Sequence, residues 1–438
     1  MGQQRQYDIT VFGSTGFTGK RILKYLLNTC ASRGEGKSVA AAGRNEGRLK
    51  LALTDIGAPA DTPIVIADVS DEDSLAAMAA SSRVVISAVG PYRLYGQPVI
   101  SACVKAGCDY LDVCGEPEFL ERAEHWHDTK AKETGSVCIT AAGFDSVPAE
   151  LGCLFAADEF RNAGGQCSSV TSYISVDAGA AGFCGHFATY ESAVLGFASA
   201  NDLRAFRKQR GVGPRPQPGA APPKGPGPDR ISAPAWRPRF SAYAMPFPGA
   251  DASVVRRTMA VRAARGQPAV KFVANFLVPS AYAAGQFVVF GGLFGLMARF
   301  AFGRSLLLRH PGVFTRGLFS RDGPSEAQMA ATTFCEAFVA RGTVDAEGGV
   351  SEEELVAEVR GPEPGYVATP IFVAEAALTL LEDRQSVLDC AGGHGVHTAG
   401  VALHGTSYVR RLVDAGISFE VKSRSMGLQR AGEGQGLS

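Results

Sequence analysis

The stretch Ile9-Thr10-Val11-Phe12-Gly13-Ser14-Thr15-Gly16-Phe17-Thr18-Gly19-Lys20 decides the fold. Residues 9–12 form a short apolar run that ends on a glycine, the pattern of a buried strand. Residues 20–27 then read as a helix. Between strand and helix stand Gly13, Gly16 and Gly19. Glycines at such a junction let the chain turn tightly and bring backbone N–H groups close to a pyrophosphate, and the helix N-terminus adds partial positive charge. The spacing is GxxGxxG in place of GxGxxG, with the same mechanics. A glycine triplet alone is a weak signal; the strand before it and the helix after it are the context a dinucleotide site requires. Gly13, Ser14, Thr15, Gly16, Phe17, Thr18 and Gly19 are therefore the candidate phosphate loop.

Strand-like and helix-like segments keep alternating to residue 150. Residues 39–42, 63–67, 84–89, 110–113 and 137–142 read as strands; residues 74–80 and 99–106 read as helices. Such alternation predicts a parallel sheet covered on both faces. From Cys167 on the pattern changes. Residues 169–176, 329–340 and 354–359 read as strands, and 190–208, 372–381 and 399–412 as helices. The expected class is α/β: an N-terminal Rossmann-type parallel sheet, then a second α/β domain with a mainly antiparallel sheet and an apolar membrane-associating insertion. The expected boundaries are 1–150 for the first domain, 151–211 and 325–438 for the second, 212–251 for a linker, and 252–324 for the insertion. The linker rests on composition: residues 214–248 hold 11 of the 24 prolines.

The end of the second strand bears on which dinucleotide would bind. An acidic residue there would take the ribose 2′-hydroxyl of NAD. The sequence has Gly43-Arg44-Asn45, and an arginine pairs with a 2′-phosphate through forked, charge-assisted hydrogen bonds. NADP (as NADPH) is the expected cofactor. Asp68, after the third strand, either receives the adenine amino group or caps the next helix. Gly90, in Gly90-Pro91-Tyr92, sits where backbone passes the nicotinamide half.

Composition sets outer limits. The chain has 438 residues, 46% of them hydrophobic and 20% charged, which excludes a disordered tail or a coiled coil. The 43 basic and 43 acidic residues cancel, against a nucleic-acid binder. Ten cysteines without a CxxC pair indicate a reduced intracellular compartment. The N-terminus carries no signal-peptide pattern.

Further motifs, Ala42-Gly43-Arg44, Tyr95-Gly96, Ala106-Gly107-Cys108-Asp109-Tyr110, Gly115-Glu116, Ala142-Gly143-Phe144-Asp145-Ser146-Val147-Pro148, Thr189-Tyr190-Glu191-Ser192-Ala193 and Gly365-Tyr366-Val367-Ala368-Thr369, join the glycine loop and Gly90-Pro91-Tyr92. Together they resemble the saccharopine dehydrogenase-like oxidoreductase family, in the branch that includes the trans-acting enoyl reductases. The resemblance is dense to residue 152 and thinner beyond. It implies a Rossmann domain, a second domain whose sheet floors the substrate site, an NADP-type cofactor, and, for several branches, membranes or lipid droplets.

Residues 272–298 carry no charge in 27 positions. As one helix they would reach about 40 Å, more than the roughly 30 Å hydrocarbon core of a bilayer. Asn275, Pro279, Ser280 and Gln286 interrupt them. From residue 252 to 321 there is no acidic residue and there are ten basic ones, five on each side of the apolar run. Both flanks therefore prefer the cytosolic side, which predicts a hairpin or an interfacial helix pair bent near Pro279. The partners expected are a lipid-like small-molecule substrate and a membrane or lipid-droplet surface, with no nucleic acid and with a homodimer left open.

Hydride transfer needs a group to supply or take a proton. Tyr92, Glu116 and Asp145 stand near first-domain strand ends, and Tyr190 and Glu191 enter from the second domain. Each has a plain alternative: Glu116 and Asp145 as helix caps, the tyrosines as packing. His394, His397, His404 and Cys390 do not have metal-ligand spacing, so no metal is expected. The leading expectation is enoyl or carbonyl reduction on a lipid-like substrate. Two others stay open: an amino-acid or opine-type imine reductase, and a nucleotide-binding droplet protein without catalysis.

Overall fold

The computed structural model of the chain describes residues 5–34, 36–210, 223–346 and 349–426. Its first part runs β1 (Tyr7–Phe12), α1 (Phe17–Ser32), β2 (Val39–Gly43), α2 (Glu46–Asp55), β3 (Ile64–Ile66), α3 (Glu72–Ser81), β4 (Ser82–Ser87), α4 (Tyr92–Lys105), β5 (Asp109–Asp112), α5 (Pro117–Thr134), β6 (Val137–Thr140) and α6 (Val147–Asn162). The strands pair in parallel in the order β3-β2-β1-β4-β5-β6. β2, β5 and β6 are buried at every position, as strands covered on both faces must be. Strand order reverses between β1 and β4, so a crevice opens at their C-terminal ends.

The rest of the chain runs β7 (Gly165–Asp177), β8 (Gly185–His186), α7 (Phe187–Ala198), α8 (Ala200–Gln209), β9 (Ala235–Arg237), β10 (Ala242–Pro246), α9 (Asp251–Ala264), β11 (Lys271–Val278), α10 (Ala281–Ala298), α11 (Ala301–Arg309), α12 (Pro311–Thr315), β12 (Phe319–Ser320), α13 (Glu326–Ala331), β13 (Thr333–Ala346), β14 (Gly349–Pro362), α14 (Thr369–Glu382), α15 (Arg384–Ala391), β15 (Gly395–Thr398), α16 (Ala399–Ala402), α17 (Tyr408–Asp414) and β16 (Ser418–Met426). The second sheet has the order β16-β14-β13-β7-β11-β10-β9, antiparallel except where β11 joins β7. β8 and β12 form a separate two-stranded ribbon.

The two sheets share one core, with α6 packed against the second. A side chain at Gly152 would strike the Phe338 ring, so glycine lets helix and sheet meet. α14 lies along α1, where fully buried Glu375 accepts from Tyr25 Oη at 2.8 Å and from both arms of Arg33.

Several expectations are corrected. The first sheet reaches beyond residue 150, because β15 pairs with β6 as its seventh strand. Part of the expected linker lies outside the described residues, at 212–222, but β9 and β10 inside it are strands of the second sheet. The expected helix over 190–208 breaks at Ser199, and the one over 399–412 breaks between α16 and α17. Residues 329–331 close α13 before β13 begins.

The apolar run is two different elements. Its first part is β11, paired with β7 and β10 and partly buried against the core. Its second part is α10, long and apolar enough to cross a membrane by length and composition, with only 11% of the helix buried. Within the run a strand, not a helix, precedes Pro279, so the expected pair of helices bent there does not form; α10 pairs with α11 and α7 instead.

Candidate active site

The glycine loop is built by its own backbone needs. Gly13 has φ +93°, and a Cβ there would come within 2.9 Å of the Val89 side chain and 3.0 Å of the Ala88 carbonyl. Gly13 and Ser14 donate backbone N–H groups to Ala42 O at 2.9 and 3.2 Å, and Ser14 Oγ donates to Val11 O at 2.6 Å. A side chain on Gly19 would land inside the Gly13 carbonyl, so this glycine lets α1 sit on its own loop. α1 starts with Gly16 in the capping position, with no side-chain cap and no acidic residue in its first turn. Thr15 and Gly16 are exposed, Phe17 and Thr18 half-buried. The open first turn faces the crevice between β1 and β4 and is shaped for an anion.

Arg44 stands exposed just past β2. Among the described residues it makes no hydrogen bond or ion pair, which leaves its guanidinium for a ligand. Asp68 lies near it, its carboxylate accepting from Ser70 N and Oγ at 2.9 and 2.8 Å. Those bonds, with help from the Arg44 charge, hold Asp68 below the usual carboxylate range. Asp68 is not the cap of α3; Asp71 is, accepting from Asp73 N and Ser74 N. Gly90 is exposed beyond β4, beside the loop. These residues fit a dinucleotide with a 2′-phosphate: an uncapped helix start for the pyrophosphate and an unpaired cation where the adenosine ribose would lie.

The three proton-transfer candidates separate. Tyr92 is 6% exposed, its hydroxyl donating to Ser87 O at 2.8 Å and accepting from Val113 N at 3.3 Å. Burial drives its pKa well up. A hydroxyl so held packs β4 against β5, the alternative that stood beside proton transfer for this tyrosine. Glu116 caps a helix, but not its own: Oε1 accepts from Tyr92 N at 2.8 Å and Oε2 from Arg93 N at 3.1 Å, closing the start of α4. It also accepts from Ser192 Oγ of α7 at 3.2 Å. Asp145 differs from both. It is exposed to the cleft, and among the described residues its carboxylate has no hydrogen-bond partner. The protein packed around it raises its pKa. The adjoining Ser146 has φ +117°, a strained value for a non-glycine residue, and its N–H closes a tight turn onto Phe144 O at 2.7 Å. The turn aims Asp145 at Gly115, where a Cβ would lie 2.6 Å from Asp145 Oδ2.

The cleft has a roof. α7, α10, α11 and α12 enclose a small apolar core of Tyr190, Val194, Ala298 and Leu307. Tyr190 is buried there, its hydroxyl reaching Leu307 O at 3.4 Å, so it packs the roof; Glu191 is half-buried one residue on. At one end the roof rests on the phosphate loop. His186 stacks on Phe17 and Tyr366 meets the same ring edge-on at 4.9 Å, while Tyr366 Oη accepts from His186 N at 2.7 Å and contacts Thr189 Oγ1 at 3.3 Å. At the other end Ser192 reaches Glu116, and Arg93 donates to Leu195 O while pairing with Glu118. The roof thus spans the cleft from glycine loop to α4. His186 and Tyr366 were not singled out as candidate site residues. Tyr366 lay inside a motif already noted; nothing local to His186 marks it.

The floor is a face of the second sheet. Phe334 of β13 packs on Phe144 with ring centroids 4.9 Å apart, which sets the Asp145 turn on that face. One pleat along lies Glu336, in register with Ile174 of β7, and beside it Ser172. Asp251, at the start of α9, meets Ser146 Oγ at 3.3 Å.

The histidines and Cys390 are placed apart from the cleft residues. His397 Nε2 contacts Gly393 O at 3.1 Å, and His404 pairs with Asp158 at 2.9 Å. Among the described residues no group of three or more metal-type ligands is gathered.

Residues 9–139 match the family described as the saccharopine dehydrogenase NADP-binding domain. Across 95% of its length, and 97% of the relative's, the chain is 36% identical to a protein of Arabidopsis thaliana named a probable mitochondrial saccharopine dehydrogenase-like oxidoreductase. The chain belongs to the saccharopine dehydrogenase-like oxidoreductase family. As a saccharopine dehydrogenase-like oxidoreductase it binds NADP(H), as the glycine loop and Arg44 led us to expect. Another relative, from Caenorhabditis elegans, is named a lipid droplet localized protein and is 32% identical over 95% of this chain and 99% of its own. Among solved structures, the L-Glu-forming saccharopine dehydrogenase of Saccharomyces cerevisiae shares the fold, with a TM-score of 0.52 at 14% identity over 95% of this chain and all of that one.

Proposed function

We propose that the chain is an NADP-dependent oxidoreductase that works at a membrane or lipid-droplet surface, by enoyl or carbonyl reduction of a lipid-like substrate or its reverse. The observation that carries this reading is that the roof over the cofactor cleft also presents a cluster of large, exposed apolar side chains. Val289 is 67% exposed, Phe302 81% and Val313 74%, and Phe287, Leu293, Leu296 and Phe300 lie open among them. An exposed apolar area of this extent marks an interaction surface. Its border is basic: Arg299, Arg304, Arg309 and Arg316 interleave with it, and the Arg316 guanidinium sits 4.8 Å from the Phe290 ring centroid. Cations around an apolar patch suit a layer of acidic headgroups over hydrocarbon.

The attachment proposed is to one leaflet. α10 leaves a strand embedded in the second sheet and returns through α11, α12 and β12 to the cofactor loop, with its inner side against α7. A helix tied at both ends to the soluble body lies in an interface and does not cross it. A droplet monolayer offers such an interface, and a lipid in it reaches the cleft across a single layer of helices.

In this reading the first turn of α1 holds the pyrophosphate and Arg44 the 2′-phosphate. NADPH supplies the hydride. Asp145, free of partners and turned to the cleft, is the group placed to pass the product its proton, and burial shifts its pKa up, toward that role. The imine-reductase alternative requires basic side chains to hold substrate carboxylates; the inner cleft presents Asp145, Asp251 and Glu336 instead. The test is NADPH consumption by purified protein given vesicles that contain a cellular lipid extract, beside a mixture of water-soluble keto acids and amino acids. Consumption with the extract alone supports the reading. Consumption with the soluble mixture alone overturns it.

A further inference from the structure

The second sheet ends differently on its two sides. At one edge β16 carries charges of both signs, with Lys422 on Glu420 at 2.5 Å and Arg424 on Glu353 at 2.8 Å. Charged side chains are the usual protection of an open sheet edge. The other edge is β9, Ala235-Trp236-Arg237, and its most open side chain is Trp236, 47% exposed.

Trp236 begins an aromatic ladder that crosses the sheet to α10. It stands in register with Tyr243 of β10, ring centroids 5.2 Å apart. Tyr243 pairs in turn with Val278 of β11, two residues from Phe276 and so on the same face. The Phe276 ring meets Phe287 of α10 at 5.1 Å. Tyr243 and Phe276 also pack on one small cluster with Met245, Val278 and the first turn of α10, Ala283 and Ala284. Tyr282 of that turn is 76% exposed. The β9 edge and the outer face of α10 are therefore one continuous surface.

The chemistry of this surface selects its partner. Among the described residues neither Trp236 Nε1 nor Tyr282 Oη has a hydrogen-bond partner in the protein. A ring with an apolar body and an unused polar tip settles at the headgroup level of a lipid layer. Residues 230–321 hold thirteen basic side chains and a single acid, Asp251, which is buried. Arg237 and Arg239 follow Trp236, the second of them paired with buried Glu354. A second copy of the chain docking through the same edge would set cations against cations, whereas acidic headgroups complement them.

We propose that Trp236, Tyr243 and Tyr282 form a second membrane contact, an aromatic anchor at the headgroup level of an acidic lipid layer, beside the deeper α10. A helix lying in an interface can roll about its own axis. A second contact on the edge of the attached sheet removes that freedom and gives the protein one tilt on the surface. The inference rests on the proposed attachment through α10–α12.

The chain has two tryptophans, which makes the test direct. In Trp126→Phe the sole emitter is Trp236; in Trp236→Phe it is Trp126, on α5, which serves as the control. Each full-length variant is mixed with vesicles of phosphatidylcholine and phosphatidylserine, with and without brominated acyl chains. Trp236 emission shifts to the blue and is quenched, more by bromine near the headgroup than by bromine near the methyl end, and Trp126 emission shows neither change. Trp236→Ala together with Tyr282→Ala weakens vesicle binding about tenfold or more, as expected when two large aromatic rings no longer leave water. NADPH titration confirms that each variant is folded. Vesicle binding with Trp236 emission unchanged, equal quenching of Trp126, or a double variant that binds vesicles like wild type overturns the anchor and leaves attachment through α10–α12 standing. A dimer seen by sedimentation without lipid and lost in the double variant also overturns it, by assigning the edge to a second copy. Wild-type protein that binds no vesicles overturns the reading beneath it.

Discussion

His186 lies face to face with Phe17, ring centroids 5.1 Å apart and planes 18° from parallel. One residue opens the helical roof and the other belongs to the glycine loop. Gly323, just past β12, closes on the same pair; a side chain there would come within 2.9 Å of the Phe17 ring. The surface layer and the cofactor loop therefore touch directly. The outer face of the roof nevertheless makes no part of the loop, and the two can be separated by mutation. Val289→Asp together with Phe302→Asp should abolish flotation of the protein with vesicles containing acidic phospholipid, while NADPH affinity stays within about twofold, as expected for exposed sites. Flotation that persists in the double variant removes α10–α12 as the attachment face.

Gly19 is required for shape. A methyl group there overlaps the Gly13 carbonyl, so Gly19→Ala must push α1 away from its loop. The expected cost is about 1–3 kcal/mol of stability, the usual range for overpacking, and NADPH binding should be lost. Gly36→Ala, where nothing lies within 4 Å, should change neither. Thermal melting and nucleotide titration of the two variants decide it.

Glu116 holds two N–H groups at the start of α4 and one hydroxyl of the roof. Glu116→Ala should cost about 1–2 kcal/mol, the scale of a lost helix cap, and Glu116→Gln less, because the amide oxygen still accepts. Equal losses in denaturant melts would mean that the capping bonds contribute little.

His397 titrates in the opposite sense to a free histidine in an ion pair. Burial lowers its pKa to about 4. The folded state therefore resists protonation that the unfolded chain accepts near 6.5. Stability is unaffected above pH 6.5 and falls as pH drops from there toward 4, by up to about 3 kcal/mol from this group. NMR should show the His397 ring neutral at pH 5. A ring that titrates near 6.5 contradicts the burial argument.

What could be read from the sequence was what depends on neighbours in the chain. The turn at Gly13, the packing need at Gly19 and the cation at Arg44 are local requirements, and they are in place. Residues 272–278 and 281–298 are equally apolar and uncharged, and periodicity alone does not separate a buried strand from an exposed helix. Pro279-Ser280 marks the break, but that β11 pairs with β7 depends on a partner a hundred residues away. β9 and β10 hide in proline-rich sequence because a short ribbon at a sheet edge tolerates what a central strand does not. Tyr92, Glu116 and Asp145 looked alike as candidates. Only the fold shows that two are hydrogen-bonded into the scaffold and the third is free. Asp251 and Glu336 come together solely through tertiary packing.

The most direct test of the account is a fluorescence titration of NADPH and of NADH into wild-type protein and Arg44→Ala. The account predicts that NADPH binds more tightly, and that Arg44→Ala weakens NADPH about tenfold or more, toward the NADH level, while leaving NADH unchanged, as the loss of one charge-assisted phosphate contact requires. NADH binding as tightly as NADPH, or an Arg44→Ala variant that binds NADPH like wild type, would contradict it.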